Sequence, residues 1–247
     1  MLYIVATPIG NLDDMTPRAQ QALRNADIIA CEDTRRTRAL LSHFGIPHPK
    51  QMLSYREQTE KSSSEGLIPI LETGQTIALC SDSGYPGISD PAYRLIRAAS
   101  ERNIEICVIP GASAVPTALL SSGLPTSSFT FKGYPPRKKG AIHRFFEEEK
   151  AMPHTLILFE SPFRTEKTLK AALEVLGDRE AAVCIELTKK FEKTHRGYLS
   201  TLCKEFAGKK IKGEVTIVIA GNNPKFARTE VGGLPAVAGQ TSEVGQD

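Results

Sequence analysis

Two α/β units in tandem are the fold class that the sequence predicts, and two patterns predict it. Short apolar runs alternate with stretches of helical periodicity, as expected for strands and helices of a largely parallel sheet. Three of those runs also end in loops bearing glycine or proline: Thr7-Pro-Ile-Gly-Asn11, residues 81–91, and Ile109-Pro-Gly-Ala-Ser113. Strands of a parallel sheet point the same way, so such loops line one rim, where α/β folds hold ligands.

Taken in order, residues 2–7 form the first strand. Thr16 before Pro17 has the signature of an N-cap and first helical residue, and opens a helix to Asn25. Residues 27–31 are a strand, and the following helix reaches Phe44 and stops at Gly45, with Pro47 beyond. Residues 51–55 are a third strand and 59–72 a helix whose last turn Pro69 disturbs. Residues 76–80 are a buried strand feeding the 81–91 loop. Asp90 is the expected N-cap and Pro91 the first residue of a helix to Arg102. Residues 105–109 make the fifth strand.

In the second unit a helix ends at Gly123, residues 129–133 are a strand, and a loop precedes a helix to Lys150. Residues 155–160 are a strand. Ser161-Pro162 repeats the cap-plus-proline start of a helix reaching Leu176. Strand 181–187, helix 199–206 and strand 214–220 complete it. The alternation is less regular here, so a mixed sheet is expected. The expected organisation is residues 1–116, residues 117–221, and a tail over 222–247. That tail is rich in Gly, Ala, Pro, Thr and Ser and lacks apolar periodicity, the composition of disorder.

Among the 247 residues, 40% are hydrophobic and 24% charged, which suits a globular protein. No apolar run is long enough to span a bilayer, and no basic leader precedes residues 2–6, so a cytoplasmic protein is expected. Cys31, Cys80, Cys107, Cys184 and Cys203 are isolated and read as small buried hydrophobes. The histidines have no metal-ligand spacing and stand near no nucleophile elbow, so neither a metal nor a triad is expected. The glycine loops match neither the dinucleotide fingerprint nor the P-loop.

A net charge of +3 does not by itself imply nucleic acid. Local clustering is more informative. Lys132, Arg137, Lys138, Lys139 and Arg144 span thirteen residues without an acid, beside Tyr134 and two prolines. Cations of this kind contact phosphates, and an exposed tyrosine stacks on a base. Arg35, Arg36 and Arg38 form a second cluster. Glu160, Glu186 and Glu214 stand at strand ends with Arg164 and Lys189 as prospective partners.

Seven stretches in this order resemble one family: Leu2-Tyr-Ile-Val-Ala-Thr-Pro-Ile-Gly-Asn-Leu12, Glu32-Asp-Thr-Arg35, the 81–91 loop, Pro110-Gly111, Gly123-Leu-Pro125, Glu186-Leu-Thr-Lys189 and Lys212-Gly-Glu214. The family is the bacterial 16S ribosomal RNA 2′-O-methyltransferases that modify a cytidine, a branch of the tetrapyrrole methylases. The resemblance covers residues 2–221. It implies S-adenosylmethionine in a cleft between two α/β domains, a homodimer, and 16S rRNA or the small ribosomal subunit as substrate. The implied cofactor contacts are Pro8, Asp82, Gly84, Tyr85, Ser113, Ala114, Phe159, Glu186 and Gly213. Two departures stand out. Relatives usually carry threonine where Tyr85 stands, and often proline at Ala112.

For transfer to a 2′-hydroxyl, Lys139 and Lys189 are the candidate cations for the developing alkoxide, and Glu160 or Glu186 the proton acceptor. Arg35, Arg137, Lys138, Lys139 and Arg144 are the candidate RNA contacts. The competing readings are a methyltransferase of the same fold acting on a tetrapyrrole or another small molecule, and a ribosome-binding factor without catalysis.

Overall fold

The computed structural model describes residues 1–48 and 51–225. Strands β1 (Leu2–Val5), β2 (Ile28–Cys31), β3 (Gln51–Ser54), β4 (Ile77–Cys80) and β5 (Ile106–Ile109) form one sheet in the order β3-β2-β4-β1-β5. Every pairing is parallel. β2 and β4 are buried at every residue, which explains why they are continuous apolar runs rather than alternating ones.

Helices α1 (Pro17–Asn25) and α2 (Thr34–His43) bring Leu23 and Leu41 onto the face that shows Val5 and Ile29. Helices α3 (Glu60–Glu72) and α4 (Tyr93–Glu101) bring Leu67 and Leu95 onto the face that shows Leu2, Ile4 and Leu79. Thr16 caps α1 as expected, its hydroxyl accepting from the Ala19 N–H at 3.2 Å. Pro69 lies inside α3, which continues to Glu72.

Helix α5 (Ala114–Ser122) packs on the second sheet, sharing a core with Ile157, Cys184 and Val218. That sheet comprises β6 (Phe129–Phe131), β7 (Thr155–Glu160), β8 (Glu180–Ile185), β9 (Lys193–Tyr198) and β10 (Val215–Ile219), ordered β6-β7-β10-β8-β9. It is mixed, as expected: β6 runs parallel to β7, and the other pairs are antiparallel. Helices α6 (Lys139–Glu149), α7 (Thr165–Leu176) and α8 (Leu199–Phe206) close its other face over Phe146, Leu169 and Leu202.

Three features differ from the expectation. β9 has no counterpart among the strands expected from sequence. It is an edge strand with Lys, His and Arg along it, and edge strands commonly lack the apolar alternation that identifies a central one. Two of the three expected cap-plus-proline starts, at Asp90-Pro91 and Ser161-Pro162, are not used. The N-cap of α4 is Ala92, with no side-chain capping bond, so Asp90 lies outside the helix. α7 begins at Thr165, and a turn in which the Ser161 carbonyl accepts from the Arg164 and Thr165 N–H groups precedes it.

The cysteines are free, and all but the half-buried Cys107 are buried. Among the described residues no helix is long and apolar enough to cross a membrane. The tail expected from residue 222 lies outside the described residues after Lys225.

Candidate active site

The order β4-β1-β5 at the middle and edge of the first sheet sets the three glycine loops side by side. They are also tied to one another. Thr7 and Gly84 exchange backbone hydrogen bonds of 2.9 and 3.1 Å, and the Thr7 hydroxyl donates to the Ser81 carbonyl. The Tyr85 hydroxyl accepts from the Gly111 N–H at 3.0 Å, joining the second loop to the third. Gly84 has φ +79 and Gly87 φ +88, conformations that side chains rarely adopt. Gly111 lets its loop lie against Ala6, since a Cβ there would meet the Ala6 Cβ at 3.0 Å.

The fourth strand end adds the stretch after β2. The Asp33 N–H donates to Asp82 at 3.1 Å, and Arg36 pairs with the same carboxylate at 3.3 Å. Arg35 forks onto Asp33, with bonds of 3.2 and 2.9 Å, and this holds the Asp33 carboxyl well below the usual carboxylate range.

The second sheet faces these loops. Its contribution is strained: Glu186 has φ +53 and Thr188 φ +65, a conformation side chains hold only where surrounding contacts impose it. Those contacts are visible. The Glu186 Oε1 accepts from the Glu214 N–H and from Lys189, both at 2.9 Å, while the Thr188 hydroxyl accepts from the Asn11 N–H at 3.1 Å. Glycines permit the approach. A Cβ at Gly10 would lie 2.4 Å from the Lys189 side chain, and one at Gly213 2.2 Å from the Glu186 carboxylate. The Lys189 hydrogen bond comes first among the causes that depress the Glu186 pKa. Partial burial opposes the charge of Lys189, but Glu186 and Glu214 outweigh it and raise its pKa.

Between the halves lies a cleft of ≈ 400 Å³. Asp82, Gly84, Tyr85, Ser113 and Ala114 line it from the first half and the start of α5. Phe159, Glu160 and Gly213 line it from the second. Seven of the expected cofactor contacts therefore meet in one cavity. Pro8 lies in a neighbouring cavity of ≈ 510 Å³, which also holds Lys189, and Glu186 stands behind Gly213. Ser113 makes no side-chain cap to α5, so N–H groups at that helix start remain for a ligand's acceptor atoms.

Glu160 lines the cleft yet is already engaged. It accepts from the Ser161 N–H at 2.7 Å, from the Thr168 hydroxyl, and pairs with Arg164 at 3.4 Å. Arg164 in turn donates to the carbonyls of Pro135 and Pro136, fastening the basic loop to α7. Tyr134 brings the start of that loop into the cleft wall. Beyond it, Arg137, Lys138, Lys139 and Arg144 are exposed and pair with no carboxylate among the described residues. Lys132 differs: it is paired with the buried Glu149 at 2.7 Å.

Two groups that sequence reasoning placed elsewhere or left unassigned also line the cleft: Glu32, and Asp90, which was expected to cap a helix. The spacing of Asp90 in the loop suggested a cap, and nothing local distinguishes that role from a cleft carboxylate. No cluster of three His, Cys, Asp or Glu residues suited to a metal stands among the described residues.

Comparison with known proteins agrees with this architecture. Residues 1–203 match the Tetrapyrrole (Corrin/Porphyrin) Methylases. The chain is 46% identical over 230 residues to the ribosomal RNA small subunit methyltransferase I of Halalkalibacterium halodurans, covering 93% of this chain and 79% of that protein. It is 41% identical to the protein of that name from Thermotoga maritima, covering 89% and 98%. Among solved structures, diphthine synthase is similar at TM-score 0.66 and 18% identity, covering 89% of each chain. A uroporphyrin-III C-methyltransferase from Thermus thermophilus, complexed with S-adenosyl homocysteine, is similar at TM-score 0.60 and 17% identity, covering 88% and 96%.

Proposed function

The chain belongs to the tetrapyrrole methylase family, together with the ribosomal RNA small subunit methyltransferases I, and from this premise we propose that it methylates a cytidine ribose 2′-oxygen of 16S rRNA, using S-adenosylmethionine. The observation that carries the reading is the continuity of the interdomain cleft with an acid-free basic loop through Tyr134. A tetrapyrrole or small-molecule substrate has little use for that loop, and a mere binding factor has little use for the cleft.

The cleft suits the cofactor. Backbone N–H groups of Ser113 and Ala114 offer donors to a ligand's acceptor atoms, with Ile9, Phe159 and Leu187 as apolar wall. When bound, the cofactor supplies an electrophilic methyl group on a sulfonium, a good leaving group. The work left to the protein is to hold the ribose oxygen in line with that methyl and to accept its proton. Arg137, Lys138, Lys139 and Arg144 would grip phosphates around the target, with Arg35 on the opposite rim. Asp82, fixed by Asp33 and Arg36, gives the cleft an anionic wall suited to ligand hydroxyls or an ammonium.

The test is transfer of labelled methyl from S-adenosylmethionine to small-subunit RNA, with the labelled position mapped. Label on a cytidine ribose is expected. Label on a base, or on a small tetrapyrrole instead of RNA, would overturn the proposal. A cytoplasmic homodimer is part of the same reading, and its mass by light scattering is expected to be twice that of the chain.

A further inference from the structure

We infer that Asp90 is the proton acceptor for the attacking ribose hydroxyl, a step that rests on the 2′-O-methylation proposed above. As the oxygen bonds to the methyl carbon, the carbon–sulfur bond breaks and its electron pair goes to sulfur. The hydroxyl proton must go to a base, and the Asp90 carboxylate takes it, ending the step neutral.

Position is the first argument. Asp90 closes the 81–91 loop and lines the same cavity as Tyr134, where the basic loop enters. The two loops meet across the cleft: a Cβ at Gly133 would lie 3.9 Å from the Ser89 hydroxyl. Ser89 itself sits at φ +69, strain of the kind that gathers at functional sites. It immediately precedes Asp90, which does not cap α4.

The engagement of the other cleft carboxylates, Glu32 apart, is the second: Glu214 pairs with Lys189 at 3.1 Å. Both oxygens of Glu160 are engaged by Ser161, Thr168 and Arg164. Asp82 holds Arg36 and the Asp33 N–H. Glu186 is held as an anion by Lys189 and the Glu214 N–H. Donors that stabilise an anion weaken it as a base.

Electrostatics is the third. The charged groups acting on Asp90 are Glu32 and Asp82 from neighbouring strand ends, the Ser81 hydroxyl near it donating to the Gly84 carbonyl, while Tyr134 faces it from the second half. Burial first, then the Glu32 charge, push Asp90 up to about 6. Below that pH it is protonated and accepts nothing. Above it the carboxylate is ionised, and more basic than an ordinary aspartate.

The experiment is single-turnover methyl transfer to small-subunit RNA as a function of pH, for the wild-type protein, Asp90→Asn and Glu32→Gln, with S-adenosylmethionine binding measured by calorimetry. The wild-type rate is expected to fall tenfold per pH unit below about 6. Asp90→Asn is expected to lose roughly 10²–10⁴-fold in rate and that acid limb, while binding the cofactor with unchanged affinity. Glu32→Gln is expected to move the limb to lower pH, since it removes a charge that holds the Asp90 pKa up. That shift serves even if Asp90→Asn fails to fold. Retention of the limb in Asp90→Asn, its failure to move in Glu32→Gln, or a loss explained by weakened cofactor binding would overturn the assignment. Wild-type label absent from ribose would instead refute the parent reading.

Discussion

Gly213→Ala tests the packing that braces the cleft. Gly213 has φ +89, and an added Cβ would lie 2.2 Å from the Glu186 Cδ and Oε1. Glu186 can swing away, but doing so breaks its bonds to the Glu214 N–H and to Lys189. The left-handed backbone costs an alanine about 1–2 kcal/mol. Losing the charge-assisted bonds costs roughly 1.5–3 kcal/mol, giving a total of about 2.5–5 kcal/mol. In a Glu186→Ala background the clash is gone, and only the backbone cost of about 1–2 kcal/mol remains. Urea unfolding of the four proteins of this cycle measures the coupling between the two positions, expected at about 1.5–3 kcal/mol. Equal costs in both backgrounds would refute the argument that Gly213 is required by the Glu186 carboxylate.

Tyr85→Phe removes the acceptor of the Gly111 N–H. A loss of roughly 1–3 kcal/mol is expected from denaturant melts if water cannot replace it. A Lys138→Ala/Lys139→Ala double variant removes two exposed cations and is expected to weaken RNA binding at low salt. It should also flatten the log–log salt dependence by up to about 0.7 for each phosphate no longer neutralised, read by filter binding across a salt series. The Glu149 carboxyl lies lower than its reference of 4.5 despite burial, because Lys132 and His154 bond to it. A depressed carboxyl stabilises the fold above the unfolded-state pKa, and that stability disappears as pH falls through the folded value. Glu149→Gln should therefore lose stability at neutral pH and show a shallower decline below pH 4.5 than the wild type in thermal melts.

Much of the fold was legible because its signals are local. Thr16-Pro17 and Gly123 mark helix ends through backbone requirements of single residues, and continuous apolar runs betray strands buried on both faces. The three glycine loops were legible as a set because parallel strands share a direction. What escaped depends on distant partners. Lys132 counts with the basic run in the sequence, yet Glu149, at the far end of α6, neutralises it. Asp90 and Pro91 satisfy the local rule for a helix start, but Ala92 takes that position. Nothing around residues 186–188 announces left-handed backbone without a glycine. It exists because Gly10 and Gly213, far apart in sequence, make room for it.

The position of β1 between β4 and β5 has a consequence for how the protein is made. Leu2 pairs with Ile77 on one side and Ile106 on the other, so the first strand synthesised waits for partners encoded much later. Closing such long loops slows folding. The three glycine loops become neighbours only when β1 inserts, so a chain stalled before residue 109 has the first two loops but neither the third nor the second-half wall of the cleft. Maturation of the ligand site is thereby tied to completion of the sheet, and partially folded chains remain catalytically silent.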